Sequence, residues 1–434
     1  MKLRHAFPFA ALLVLALQSP GAIKATKRNH LAEAEEALRR NDADAALKSL
    51  DAALADDPEN PGAHFWRGRL LAGRGEWDKA LADLDEAARL DPTNPQAFGY
   101  RGYVHQKRHE NDAALADLNT ALRLNPQDDW ALYCRGLVAG ERGDFLSAIG
   151  DLDAAIDANP NNLQAIAGRG HIHLLHQDLV KAKIDFDRVI LMDPSDPAGF
   201  TGRAAVEFMN GNYQKAADDY TKVASLLPND PRPLSQRGYA FAALKQDDKA
   251  LADFESALKL DQKETSALIG RAELRRVGKK WDEAIVDYDA AIALAPADFR
   301  ALMGRAAARY GKGEIEKALE DYTETIKRHP DEPQPFNDYA WMLATAPKDG
   351  VRNGAKAIEM AIQACKLTEY KNAAFIDTLA AAYAEKGNFD EALKWQEEAV
   401  KLSGDQPEDV KKELEERIPL YKAKKPYREN PEGK

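Results

Sequence analysis

Eight arginines stand 34 residues apart without a slip: Arg67, Arg101, Arg135, Arg169, Arg203, Arg237, Arg271 and Arg305. A fixed period of this length means that one supersecondary unit is stacked many times, each copy burying its neighbour's apolar face. Function therefore belongs to a stacked surface rather than to a single catalytic pocket.

The column Pro58, Pro92, Pro126, Pro160, Pro194, Pro228, Pro296 and Pro330 sets the frame, and the first unit runs over residues 27–60. Position 20 is alanine in nine successive units, from Ala46, Ala80 and Ala114 through Ala148, Ala182, Ala216, Ala250 and Ala284 to Ala318. Position 8 is also small, as in Gly68, Gly102, Gly136, Gly170, Ala204, Gly238, Ala272 and Ala306. Two helices crossing at close range accept only small side chains at their contact, and larger ones overpack it by about 1–3 kcal/mol. Position 24 supplies the bulk beside that contact: Leu84, Leu118, Leu152, Phe186, Tyr220, Phe254, Tyr288 and Tyr322. Asn60, Asn94, Asp128, Asn162, Asp196, Asp230 and Asp298 end their units as helix N-caps, and prolines such as Pro61, Pro95 and Pro197 follow at the first helical position. Each unit thus reads as helix, short turn, helix.

These columns resemble the tetratricopeptide repeat, with "RGRLLAGRGEWDKALADLDEAARLDP" carrying its small positions 8 and 20 and its proline at 32. The resemblance implies an all-α fold, a right-handed superhelical solenoid of antiparallel helix pairs whose concave groove is lined by first helices. Position 11, usually aromatic in the family, is Glu207, Arg275 or Arg309 here, and Gln262 replaces one proline. Nine repeats are expected over 27–332, and two more over 333–404. The first of those two carries about five extra residues between its helices, since Ala357 rather than Arg352 fits the alanine column. Residues 405–434 are expected to form a capping helix from Pro407 to about Lys422, with Val410, Leu414, Ile418 and Tyr421 covering the last apolar face, and then a polar tail. This ending, including "LYKAKKPYRE", resembles a closing module of bacterial tetratricopeptide proteins.

Lys2 and Arg4 precede an apolar stretch from Ala6 to Leu17, too short to span a bilayer comfortably. Residues 1–25 therefore read as a signal peptide, cleaved between Ser19 and Ala25, that exports the chain to the periplasm or medium; an uncleaved anchor is the alternative. Setting aside Lys2, Arg4 and Lys24 leaves 57 of the 60 basic residues against 71 acidic ones, which disfavours a general nucleic-acid or anionic-membrane grip. Cys134 and Cys365 are separated by several repeats and read as small core residues.

The arginines are matched by a second column at position 23: Asp83, Asp117, Asp151, Asp185, Asp219, Asp253, Asp287 and Asp321. An arginine can pair with the aspartate 16 residues after it or 18 before it, and either pairing would hold the register of the stack. The competing reading, a row of groove cations for an acidic ligand, suits position 7 less well, because it lies one step from the small contact column.

Groove positions in the resembled family are 2, 5, 6, 9, 12 and 13, which vary here without a packing rule. The binding candidates are Tyr103, Lys107, Tyr133, His171, Phe208, Gln236, Tyr239 and Arg276, a mixture suited to an extended peptide or an amphipathic helix. No asparagine and lysine set stands where relatives clamp a C-terminal carboxylate. "HIHLLH" places His173 and His176 one helical turn apart beside His171, but no cysteine or acid at ligand spacing joins them. Neither a phosphate-binding glycine loop nor a nucleophile motif is present. The sequence points to a non-enzymatic scaffold, without cofactor or metal, that binds a protein partner. A spacer acting through its convex face and ends is the alternative, and a metal-binding protein a third.

Overall fold

The computed structural model describes residues 29–404 and 406–429, so the expected signal peptide lies outside the described residues. Those residues are helical throughout apart from turns, and the helices pack in successive pairs. The chain divides into two compact units, residues 1–211 and 212–434.

In the first unit the pairs are His30–Arg39 with Ala43–Asp56, Pro61–Gly73 with Trp77–Leu90, Pro95–Lys107 with Asn111–Leu124, Asp129–Glu141 with Phe145–Ala158, and Leu163–Leu175 with Leu179–Met192. Helix Pro197–Met209 follows. The second unit starts with Tyr213–Leu226 and continues as Arg232–Ala243 with Asp247–Leu260, Thr265–Val277 with Trp281–Leu294, Phe299–Lys312 with Ile315–Arg328, Pro333–Thr345 with Gly354–Leu367, and Ala373–Glu385 with Phe389–Leu402.

Local chemistry marks the boundaries. Asn60 accepts from the Ala63 amide at 2.9 Å and Asn162 from the Ala165 amide at 2.9 Å, satisfying donors that the first helical turn leaves open. Between the helices of a pair, position 15 is left-handed, with φ from 57° at Asn41 to 89° at Gly313. That conformation lets the next amide reach back five residues, as Glu76 does to the Leu71 carbonyl at 3.0 Å. The helix stops there and the chain reverses.

Packing follows the small columns. Ala46, Ala80, Ala114, Ala148 and Ala182 are fully buried, as are Leu84, Leu118 and Leu152 beside them. A Cβ on Gly68 would lie 2.9 Å from Leu84 Cγ and 3.1 Å from the Ala80 carbonyl oxygen, so the two helices meet at the limit of contact. Three rings at position 24 are met by glycine at the next unit's position 6. Phe186, Phe254 and Tyr288 face Gly202, Gly270 and Gly304, where a Cβ would come within 2.3 Å of the ring atoms. Where position 24 is Leu84, the next position 6 holds Tyr100 instead.

The extra residues of the tenth repeat form a short 3-10 turn, Asp349–Val351, and Ala357 is fully buried in the alanine column. The C-terminal cap differs from the single helix expected. It is two helices, Glu408–Glu415 and Arg417–Lys422, broken at Glu416. Pro419 lacks the amide that would bond back to Glu415 across this break. Leu414 and Tyr421 are buried, whereas Val410 is 36% exposed. Lys424 is left-handed at φ 56°, and the Lys425 amide reaches the Leu420 carbonyl at 2.9 Å, so the chain turns back before Pro426 extends it.

Candidate functional site

The arginine column ties neighbouring repeats together. Arg67 donates from Nε and Nη2 to the two carboxylate oxygens of Asp83, each at 2.7 Å, and from Nη1 to Asp51 of the preceding repeat at 2.8 Å. Arg101 does the same with Asp117 and Asp85, Arg169 with Asp185 and Asp153, and Arg305 with Asp321 and Asp289. Arg135 takes Asp151 and Asn119, Arg237 takes Asp253 and Thr221, Arg271 takes Asp287, and Arg203 reaches Asp187. Of the two spacings open in the sequence, the pairs described here use 16, and the position-25 partners are a contact the sequence reading missed. The oddities at position 11 join in: Arg275 and Arg309 donate to Asp287 and Asp321 at 2.6 and 2.8 Å. Planar fork and carboxylate match at two points, which fixes orientation as well as distance. These arginines thus spend their donors on carboxylates within the stack.

The other side of the first helices carries a different constellation in the first unit. Trp130 stacks on Tyr100 with ring centroids 5.3 Å apart and an interplanar angle of 22°. Tyr103 and Tyr133 lean on the same indole at 5.3 and 5.5 Å. The Arg69 guanidinium lies over Trp66 at 4.9 Å and over Tyr100 at 5.1 Å, and Lys107 Nζ lies 5.2 Å above the Tyr103 ring. These rings are half-buried and Lys107 is exposed. Burial raises the phenol pKa of Tyr100 and Tyr103 to about 12, so both are neutral hydrogen-bonding groups at physiological pH. The result is a cluster of four rings around Trp130, with Trp66 joined to it through Arg69 and Lys107 at its border, carried by three helix pairs. It can offer ring faces to apolar or proline side chains and charge to a carboxylate.

Tyr103, Lys107 and Tyr133 are thus brought together, with Trp66 and Tyr100 added. Those two share position 6, one of the columns that line the groove in the resembled family. The remaining candidates behave differently. His171 is exposed and Phe208 half-buried on their own helices. In the second unit Gln236 is exposed, Tyr239 donates to the Ser266 carbonyl at 2.7 Å, and Arg276 is bound to Glu273 at 3.0 Å. Glu273 also accepts from Tyr288 at 2.8 Å, so Arg276 is part of an internal network. His173 is buried, whereas His176 is exposed with its ring 5.6 Å from Phe145. No group of three metal-ligating side chains gathers among the described residues. Cys134 and Cys365 are buried free thiols. No described helix is long and apolar enough to cross a membrane.

Paired helices, small contact columns and a periodic ion-pair ladder define an all-helical repeat protein of the stacked-hairpin class. The chain belongs to the tetratricopeptide repeat family, whose models match residues 31–95, 101–162, 133–197, 231–264, 270–333 and 375–406. Proteins of this family generally mediate protein–protein interaction and are generally not enzymes. No curated protein sequence matches the chain. Among solved structures it is similar to a tetratricopeptide repeat protein from Parabacteroides merdae, at 24% identity and TM-score 0.45 over 56% of this chain and 96% of that one. It is also similar to yeast Tom70, at 17% identity and TM-score 0.48 over 91% and 95%, and to Pseudomonas aeruginosa pilF, at 19% and 0.43 over 49% and 97%. Likenesses of this size carry no partner or activity over to this chain.

Proposed function

We propose that this protein is an exported, non-enzymatic scaffold that captures an extended segment of a partner protein on the first-helix face of repeats two to four. The observation that supports this most is the aromatic cluster of Trp66, Tyr100, Tyr103, Trp130 and Tyr133 beneath Arg69 and Lys107. Aromatic rings on rigid helices lose little entropy on contact, and such residues dominate binding where they cluster. In an acidic chain, two cations placed over aromatic rings select a segment with proline or aromatic side chains beside an acid.

The test is selection from a random peptide library with the chain from Thr26 onward. Selected peptides are expected to combine proline or aromatic residues with an acid, and Tyr100→Ala/Trp130→Ala to weaken them at least tenfold. Undiminished capture by that double variant, with helicity kept, would sink the reading. A convex-face role in assembly draws support from a separate stripe. Val180, Ile184 and Leu191, on helix Leu179–Met192, are 73%, 61% and 83% exposed, and Leu146 on the second helix of the preceding repeat is 78% exposed. Val180→Lys/Leu191→Lys would abolish such assembly while leaving peptide capture intact.

A further inference from the structure

A cap needs only to cover the last apolar face, which Leu414 and Tyr421 do, but the chain beyond Lys424 goes further. The Tyr427 ring packs on Trp341 with centroids 5.7 Å apart, and the Arg417 guanidinium lies over both rings, at 4.7 and 5.2 Å. Arg428 forms an ion pair with Glu385 at 2.6 Å and reaches the Ala344 carbonyl at 3.4 Å. The Glu429 amide donates to the Thr345 carbonyl at 2.9 Å, and its carboxylate accepts from the Tyr310 hydroxyl at 2.6 Å. In the repeat frame Tyr310 is position 12 of the ninth repeat, Trp341, Ala344 and Thr345 are positions 9, 12 and 13 of the tenth, and Glu385 is position 13 of the eleventh. Every one of these is a groove position.

Three successive tail residues therefore make an aromatic contact, a charge pair and a backbone hydrogen bond with three successive repeats. This is how an extended peptide docks, not how a helix seals an end. Glu385 is already paired with Arg352 at 3.2 Å, and this second bond fixes its carboxylate for Arg428. The site is thus assembled from residues of the repeats themselves, and the tail fills it.

We propose that the groove of repeats nine to eleven is a peptide-binding site for an aromatic–arginine–acid sequence, held closed by the chain's own Tyr427-Arg428-Glu429 as a ligand in cis. A partner segment of the same order reaches it only by displacing the tail. The tether is short, so the tail's effective concentration is on the order of millimolar, and a free peptide competes against that. The inference rests on the second unit alone and stands or falls apart from capture on the aromatic cluster.

A fluorescent peptide of residues 422–434, KAKKPYRENPEGK, is titrated against the intact chain, against the chain ending at Ala423, and against full-length Tyr427→Ala/Arg428→Ala, in which the tail is present but undocked. Saturable anisotropy changes are expected with both variants and at least tenfold weaker binding with the intact chain; a scrambled peptide should bind none of them. The proposal is overturned if neither variant binds while circular dichroism shows full helicity, or if the intact chain binds equally well. Loss of helicity in both variants would also overturn it, because the tail would then be part of the fold rather than a replaceable ligand.

Discussion

Removing Asp185 should cost far more than its single charge suggests. Asp185 is 2% exposed, and its carboxylate takes two charge-assisted hydrogen bonds from Arg169, at 2.9 and 2.6 Å. Asp185→Ala deletes both acceptors and leaves the guanidinium with Asp153 alone, at 2.6 Å. A fully buried pair broken in this way loses roughly 3–5 kcal/mol. The Arg169 side chain keeps 21% of its surface in water, which rehydrates part of the stranded charge. The expected loss is therefore about 2–4 kcal/mol, from two bonds to charged groups less that rehydration. The matched control is Glu86→Ala, whose pair with Arg89 at 2.7 Å has side chains 44% and 60% exposed. That change should leave stability nearly unaltered, because a solvated pair is screened by water. Repeat arrays need not unfold in one step, so the sharper assay is native-state hydrogen exchange at the amides of Leu163–Leu175 and Leu179–Met192, beside urea unfolding of the whole chain. Arg169→Met/Asp185→Leu should lose less than Asp185→Ala, because no charge is left unpaired. If Asp185→Ala proves no worse than Glu86→Ala, the ladder is decoration and the reasoning fails.

Gly270→Ala would put a methyl 2.3 Å from the Phe254 ring and should destabilise by about 1–3 kcal/mol, with Phe254→Leu restoring most of it, as read by thermal melting of the single and double variants. Gly143→Ala meets nothing within 4 Å but must hold φ at 77°, so its loss of about 1 kcal/mol would be purely conformational, and an unchanged melting temperature would contradict that account. Burial raises the phenols of Tyr103 and Tyr239 to about 12, so folding favours their protonated form. The stability they contribute is complete below pH 10 and is lost as pH rises from there toward about 12. Ultraviolet titration should show these tyrosines ionising after the exposed ones.

Much of the architecture is periodic or local, and such signals survive in a linear chain. The alanine column at position 20 and the glycines at position 8 announce a close helix contact because nothing larger fits. Asn60 and Asn162 announce helix starts because their donors lie within three residues. The columns that line the groove in the resembled family vary here, and three residues in them, Tyr103, Lys107 and Tyr133, gather around Trp130 and one another in the structure. Trp66 and Tyr100 stand at position 6, which in other repeats holds Cys134, Gly168, Gly202, Gln236, Gly270 and Gly304. Position 24 of the previous repeat faces this column. Beside Leu84 there is room for Tyr100, whereas beside Phe254 only Gly270 fits.

By itself the sequence determined the repeat class and the common period of two opposite-charge columns, since both depend on spacing within one period. Only the tertiary structure decided which carboxylates each arginine holds, because Asp51, Asp85 and Asp153 become neighbours of Arg67, Arg101 and Arg169 through stacking alone. The same holds for the tail. Tyr310 and Glu429 are 119 residues apart, and no periodicity links them. Their meeting depends on a left-handed turn at Lys424, a proline that extends the chain, and the surface that three stacked repeats present together.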